Sequence, residues 1–163
     1  QLRASFEEEN APALGDVSKL YAEAGVVLPD MVRRRFDEVV MNGRNLEALD
    51  EFVAQDVVDH NVPPGFPPGI EGKRQVLRMF FAAFPDLHVE TLGEPVAEGD
   101  MVAARVVIEG THQGSLFGIA PTGKRVRVSG MGMARFADGK QVEHWLEMDR
   151  LSLMQQLGAS PTP

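Results

Sequence analysis

The chain has 163 residues, no cysteine and a formal net charge of −8. This length suits one domain with a core of its own, and the missing cysteine excludes disulfides, thiolate metal sites and cysteine nucleophiles. The acidic balance argues against nucleic acid and anionic membranes as partners, because both require a basic surface on the protein. No apolar run approaches the roughly 20 residues of a membrane span, and the lack of cysteine fits the cytoplasmic location that we expect.

Helical periodicity dominates the first half of the chain. Residues 1–28 are weakly patterned, with one short helix over Asp16 to Ala24, and we interpret them as an N-terminal arm. A better helix opens at Leu28-Pro29-Asp30, where Asp30 can cap it, and Gly43 closes it. A second helix follows, capped by Asn45, with these residues facing inward: Leu46, Leu49, Phe52 and Val53.

A loop rich in proline and glycine, Asp59 to Gly69, separates the second helix from a third. Proline and glycine restrict or redirect the backbone, so this segment predicts an irregular connection. The third helix carries an apolar stripe that includes Phe80 and ends before Pro85-Asp86.

The periodicity then changes from helical spacing to two, which is typical of strands. We predict four strands: Leu87 to Leu92, Met101 to His112, Lys124 to Phe136, and Gln141 to Asp149. Asp138-Gly139 is a strong hairpin signal between the last two. Helices followed by an antiparallel meander predict an α+β fold with the helices packed on one sheet face. Residues 151–157 form a short closing helix, and 159–163 a tail.

The last strand carries the most informative pattern in the chain. One face reads Val142, His144, Leu146 and Met148, and the other reads Glu143, Trp145, Glu147 and Asp149. Because side chains alternate between the faces of a strand, His144 is predicted to stand on an otherwise apolar inner wall. Such an imidazole is either a core group whose nitrogens are hydrogen-bonded within the protein or the reactive group of a ligand pocket.

Eight short motifs resemble those of one family, and they occur in the same order. They are Asp59-His60-Asn61, Phe84-Pro85-Asp86-Leu87, Glu98-Gly99-Asp100, Gly110-Thr111-His112-Gln113-Gly114, Pro121-Thr122-Gly123-Lys124, Asp138-Gly139-Lys140, Glu143-His144-Trp145 and Gln156-Leu157-Gly158. Each motif alone is weak, but together, over about residues 30–158, they resemble the SnoaL-like polyketide cyclase (ester cyclase) family of the nuclear-transport-factor-like superfamily.

The resemblance implies a cone: a curved antiparallel sheet wrapped around about three helices, spanning 29–158 as a single domain and enclosing a deep apolar cavity. It also implies a homodimer through the outer sheet face and cofactor-free aldol ring closure, with epoxide opening, isomerisation or hydroxylation in relatives. The chain departs from the cyclase pattern at two places. Leu146 stands where the cyclases carry an acid/base aspartate, and about Gly132 matches a second cavity histidine.

Acid/base work on a carbonyl compound needs a base and a donor for the developing oxyanion, and histidine can serve as either near neutral pH. We expect His60, His112 and His144 to face inward. We assign His144 and His60 as catalytic, and Asp149 as a catalytic acid/base partner if a bend turns it to the cavity rim. The alternative for Asp149 is a helix cap. We assign the following residues to substrate binding: His112, Asn61, Leu146, Phe80 and Phe117.

Two partner predictions complete the analysis. Met131, Met133 and Trp145 are expected to be neighbours across the hairpin on the outer face, where an exposed apolar patch indicates a homodimer interface. No histidine–carboxylate pair has ligand spacing, so we expect neither metal nor cofactor. The function predicted is cyclisation, isomerisation or hydrolysis of a small hydrophobic carbonyl- or epoxide-bearing substrate. The alternative is a non-catalytic protein that binds a small apolar ligand.

Overall fold

A computed structural model describes residues 28–159 of the chain. The predicted helix over Asp16 to Ala24 lies outside the described residues, as do nearly all of the predicted arm and tail. Within the described part, no helix is long and apolar enough to cross a membrane, and the cytoplasmic location stays a prediction.

The described elements are helices α1 (Pro29–Phe36), α2 (Leu49–Phe52), α3 (Gly69–Ala83) and α4 (Arg150–Leu157), and strands β1 (Val53–Asp59), β2 (His88–Glu98), β3 (Met101–Thr111), β4 (Arg125–Ala137) and β5 (Lys140–Met148). A π-helical turn, Asp37–Asn42, continues α1, and a 3-10 turn, Leu46–Ala48, precedes α2. The predicted α+β class is therefore confirmed.

The sheet has five strands in the order β1-β5-β4-β3-β2. β2 to β5 form the predicted antiparallel meander, but β1 pairs parallel to β5. The prediction that Val53 belongs to the second helix is wrong, because the helix ends at Phe52 and Val53 begins this strand. The segment after it alternates poorly and carries Gln55 and Asp56, so its sequence lacked a clear strand period.

The predicted N-caps of the first two helices are confirmed in part. Asn45 Oδ1 accepts from the Ala48 backbone amide as predicted. Asp30 does not cap α1, because the helix starts one residue earlier at Pro29, with Leu28 at the cap position. Proline tolerates the first helical position, where its missing N–H would have no partner.

The hairpin between β4 and β5 sets which side chains of β5 face inward. Asp138 and Gly139 both adopt positive φ, at 50° and 73°, as a two-residue hairpin turn requires. Ala134 pairs with His144 and Gly132 with Leu146, but the register shifts between Arg135 and Phe136, where Gln141 pairs with Phe136. The prediction that Val142 shares the inner face with His144 is wrong, because the extra residue of this β-bulge turns Gln141 inward instead.

The apolar interior consists of two clusters. The first includes Val40, Leu49 and Val53, and the second includes Phe84 and Leu157. Residues packed in both clusters line one cavity between the helices and the inner sheet face. The fold therefore leaves a space for a ligand where a solid core would otherwise stand.

Candidate active site

The cavity has a volume of about 500 Å³, and most of its lining is apolar. Five residues predicted from the sequence lie on its wall: His144, Asn61, Leu146, Phe80 and Phe117. A volume of this size accommodates a small organic molecule of several rings.

A buried cluster of three ionisable side chains interrupts the apolar wall. Asp59 ends β1, Lys73 lies in the second turn of α3, and His144 projects from β5. Asp59 Oδ2 lies 2.7 Å from Lys73 Nζ and 3.1 Å from His144 Nδ1. The side chains of Lys73 and Asp59 are 5% and 6% exposed, whereas that of His144 keeps 22% exposure. His144 is thus the member of the cluster that a ligand in the cavity can reach.

The charges of the cluster follow from its geometry. Burial alone would raise the pKa of the Asp59 carboxyl, but the hydrogen bond from His144 and the charge of Lys73 outweigh it, and the pKa lies well below its usual range. Burial lowers the pKa of His144, and the Lys73 charge lowers it further against the opposing pull of Asp59. At neutral pH the cluster therefore contains an ionised Asp59 and an uncharged His144 imidazole.

The same geometry selects the tautomer of His144. Nδ1 lies 3.1 Å from Asp59 Oδ2 and 3.4 Å from Lys73 Nζ. We assign its proton to the shorter contact, because an ionised carboxylate only accepts hydrogen bonds and would repel a lone pair on Nδ1. Nε2 then carries a lone pair, and among residues 28–159 it has no hydrogen-bond partner. A carboxylate that orients a neutral imidazole in this way prepares Nε2 to accept a proton.

A second polar group lies on the helical side of the cavity. Arg33 contacts Asp37 Oδ2 at 3.1 Å, and its other terminal nitrogen donates to Thr91 Oγ1 at 3.1 Å. Burial raises the pKa of Asp37, although the Arg33 charge opposes this shift. Arg33 and Lys73 are both on the cavity wall, so positive charge is available to a developing oxyanion.

Asn61 holds the loop after β1 against the last strand. Its Nδ2 donates to the Leu146 backbone oxygen at 2.6 Å, and its backbone amide donates to Asp59 Oδ1 at 2.9 Å. Asn61 Oδ1 is buried without a hydrogen-bond partner in the described part of the chain. The side chain thus fixes the cavity wall and leaves one acceptor available.

His60 does not share the inner face with His144, so that prediction is wrong. Its ring stacks on Trp145 at 5.0 Å between centroids, with planes 7° apart, and its Nε2 lies 2.9 Å from Glu143 Oε1. Both partners point to the outer face of β5. His60 follows β1 directly and turns away from Asp59, which points inward.

His112 also lies outside the cavity wall. It is completely buried beside Phe84, and its Nδ1 lies 3.1 Å from Thr122 Oγ1. The predicted inward position of this residue is correct, but the chain leaves the sheet at Thr111, so His112 packs beneath the 113–123 loop. This environment provides no contact with the cavity.

Asp149 caps α4. Its carboxylate accepts from the Ser152 backbone amide at 2.9 Å, and the residue is exposed. Of the two alternatives drawn from the sequence, the structure places this residue in the cap position, away from the histidine cluster.

Sequence reasoning missed the two charged partners of His144. Lys73 precedes Val76, Leu77 and Phe80 at helical spacing, so a charge on the apolar stripe of α3 was visible. Asp59 was noticed only as part of a motif, because without β1 its side chain had no assigned face. Within residues 28–159, no group of three or more His, Asp or Glu side chains could hold a metal ion.

A titration tests the electrostatics of the cluster. We expect the His144 ring resonances to titrate with a pKa below the ordinary 6.5, whereas Lys73→Met raises that pKa by removing a neighbouring positive charge. Nuclear magnetic resonance of ring-labelled histidine, with His144→Gln for assignment, measures both. As the pH falls, the unfolded chain takes up this proton at a higher pH than the folded chain does. The free energy of unfolding therefore decreases between pH 6.5 and the folded pKa of His144. A wild-type pKa above 6.5 would contradict the arrangement.

Comparison with known proteins agrees with this fold. The profile of the family described as SnoaL-like polyketide cyclase matches residues 30–157, and the chain belongs to that family. The aklanonic acid methyl ester cyclase DauD of Streptomyces sp. (strain C5) is 29% identical over 139 residues, covering 82% of this chain and 84% of that protein.

Solved structures show the same similarity. TsrD from Streptomyces laurentii is 32% identical, with 80% of this chain and 94% of that chain covered, at a TM-score of 0.72. Wild-type IdmH from Streptomyces antibioticus is 35% identical, with 80% and 98% covered, at a TM-score of 0.68. The cone fold expected from the resemblance is therefore confirmed.

Proposed function

We propose that this chain is a cofactor-independent enzyme of the cyclase type, which closes a ring in a small hydrophobic carbonyl compound held in the cavity. The observation that carries the proposal is the pair formed by Asp59 and His144, which presents an uncharged imidazole to an apolar cavity. The name of the relative DauD, an aklanonic acid methyl ester cyclase, supports ring closure as the reaction.

In this proposal His144 takes the role that an aspartate has in the cyclases. Its Nε2 accepts a proton from a carbon next to a carbonyl group, and the electron pair of the broken C–H bond moves onto the carbonyl oxygen. The enolate carbon then forms a bond to a second carbonyl carbon of the same molecule. The resulting alkoxide takes the proton back from the imidazolium, so the base is restored.

Charges on the cavity wall assist both steps. The charges of Lys73 and Arg33 stabilise the enolate oxygen at a distance, without direct contact, since positive groups act strongly in an apolar, water-poor site. Asp59 keeps the Nδ1 proton in place and stabilises the imidazolium. Leu146, Phe80 and Phe117 hold the apolar body of the substrate, and Asn61 positions the wall beside it. We place carbonyl substrates ahead of epoxides because a neutral imidazole has no Nε2 proton to give to an opening epoxide.

Deuterium exchange tests the proposal on compounds whose cyclised products need not be identified beforehand. A panel of aromatic β-keto esters with a pendant ketone is incubated with the protein in D₂O and analysed by mass spectrometry. We expect deuterium at the acidic carbon of at least one member, faster than with buffer alone, together with a ring-closed product. Exchange no faster than in buffer for every member that binds would contradict the proposal.

A non-catalytic binding protein is the second candidate. One observation favours it: the cavity wall is mainly apolar. The family resemblance, which implies that Leu146 stands where the cyclases carry an aspartate, is consistent with this candidate. The same panel separates the two candidates, because a binding protein retains its ligands and leaves the C–H bonds unexchanged.

We also propose a homodimer through the outer sheet face. Met131 and Met133 are 53% and 40% exposed there, and Met133 pairs with Trp145 across the hairpin. Exposed apolar side chains grouped on a sheet face are typical of an interface.

Light scattering during gel filtration tests the dimer. We expect twice the chain mass for the wild type and a single chain mass for the double variant Met131→Lys, Met133→Lys, because the charges oppose burial. Leu151→Lys, which changes an exposed leucine of α4, is the matched control and keeps the dimer. A wild-type protein of single chain mass at high concentration would contradict the interface.

A further inference from the structure

The β-bulge in the last strand directs Gln141 to the cavity wall. Phe136 pairs with Gln141 and Arg135 with Glu143, so β5 uses one more residue than β4 in this interval. Gln141 therefore faces the same side as Phe136, toward the interior, three positions before His144. The residue is 6% exposed and lines the cavity. Bulges often re-aim a single side chain beside a functional site.

The oxygen of the Gln141 amide is buried without its usual partner. Oε1 has no hydrogen-bond partner among residues 28–159, although buried polar atoms in folded proteins are normally bonded. Its surroundings are apolar, since Val53 pairs with it on β1 and Phe136 on β4. An unpaired buried amide costs folding free energy, so an apolar residue here would serve the core better. A ligand in the cavity that completes the hydrogen bonding of the amide would account for its presence at this position.

We propose that Gln141 is a specificity-determining subsite that takes a hydroxyl group of the ligand. A hydroxyl both donates and accepts, so it pairs with either end of the amide. Gln141 and His144 pair with Phe136 and Ala134, which are two residues apart on β4, so the two positions are roughly 7 Å apart. The expected ligand is a fused-ring hydroxy-ketone, with its hydroxyl about this distance from the carbonyl at His144. The inference depends on the proposed use of the cavity as the ligand site.

A stability measurement without ligand gives the first test. Gln141→Met replaces the amide with an apolar side chain of similar length, and we expect the Tm to rise by about 3 °C. Gln113→Met, in the exposed loop after β3, is the matched control and leaves the Tm unchanged. A clear fall in Tm for Gln141→Met would show that the amide has a structural role and would overturn the proposal.

Matched ligands give the second test. Isothermal titration measures Kd for pairs of fused-ring ketones with and without a hydroxyl at the far end of the ring system, with 6-hydroxy-1-tetralone and 1-tetralone among them. We expect the wild type to bind the hydroxylated member of at least one pair about tenfold more tightly. In Gln141→Met the preference falls to twofold or less, while affinity for the deoxy member is retained.

Either of two results would overturn the subsite. The first is a wild type that shows no preference for the hydroxylated member of any pair, including the case in which no compound binds. The second is a preference that survives in Gln141→Met. His144→Ala retains the preference, because binding of the hydroxyl does not require the base. Failure of proton transfer and failure of the hydroxyl subsite are therefore observed separately.

Discussion

Replacing His144 with alanine is expected to reduce turnover roughly 10³-fold, within the range of 10²- to 10⁴-fold attributed to a positioned acid/base group. The imidazole has its Nδ1 on Asp59 and its side chain on the cavity wall, so its loss removes the proton acceptor while the apolar wall remains. KM is expected to change much less than kcat. Steady-state kinetics on a substrate found in the deuterium-exchange panel measure both constants.

His88→Ala is the control for this variant, since His88 is an exposed histidine at the start of β2. We expect it to retain wild-type kcat and KM. Exchange and turnover that persist at the wild-type rate in His144→Ala would make this histidine structural and would remove the base from the mechanism.

The second large effect is on stability and concerns the ion pair between Lys73 and Asp59. Lys73→Met is expected to lower the free energy of unfolding by roughly 3–5 kcal/mol, because it leaves a buried carboxylate without its cation. Asp59→Asn leaves the ammonium group unpaired and is expected to cost a similar amount. The double variant is expected to lose much less than the sum of the two, because neither charge remains.

Urea unfolding of the four proteins at pH 7 measures this coupling. Arg34→Met, which removes an exposed ion pair with Glu94, is the matched control and costs at most about 1 kcal/mol. The fold lowers the pKa of Asp59, so its contribution is present well above pH 3.8 and is lost as the pH falls through that value and below. Strictly additive losses would show that the two charges do not stabilise each other.

Much of the architecture could be predicted from the sequence because it depends on local periodicity. The alternation in β3 and β5 and the Asp138-Gly139 turn predicted the hairpins and placed His144 on the inner face. β1 escaped prediction because its stability comes from parallel pairing with β5, which is a long-range contact that leaves no local period. The missing strand then hid the orientation of both Asp59 and His60.

The composition of the site was harder to predict than the fold. A strict period of two put Val142 inward, but one extra residue in β5 exchanged it for Gln141. A bulge of this kind is set by pairing with β4 and β1, and not by the sequence of β5 alone. In the same way, the pairing of Lys73 with Asp59 beside His144 required the packing of α3 against the sheet, which periodicity does not encode.

A crystal structure of the protein with a bound, slowly reacting substrate analogue tests the central claim most directly. We expect the analogue inside the cavity, with His144 Nε2 within about 3.5 Å of the carbon that loses its proton and the Asp59 bond to Nδ1 intact. An analogue bound outside the cavity, or bound inside it with the imidazole turned away from every reacting atom, would contradict the mechanism.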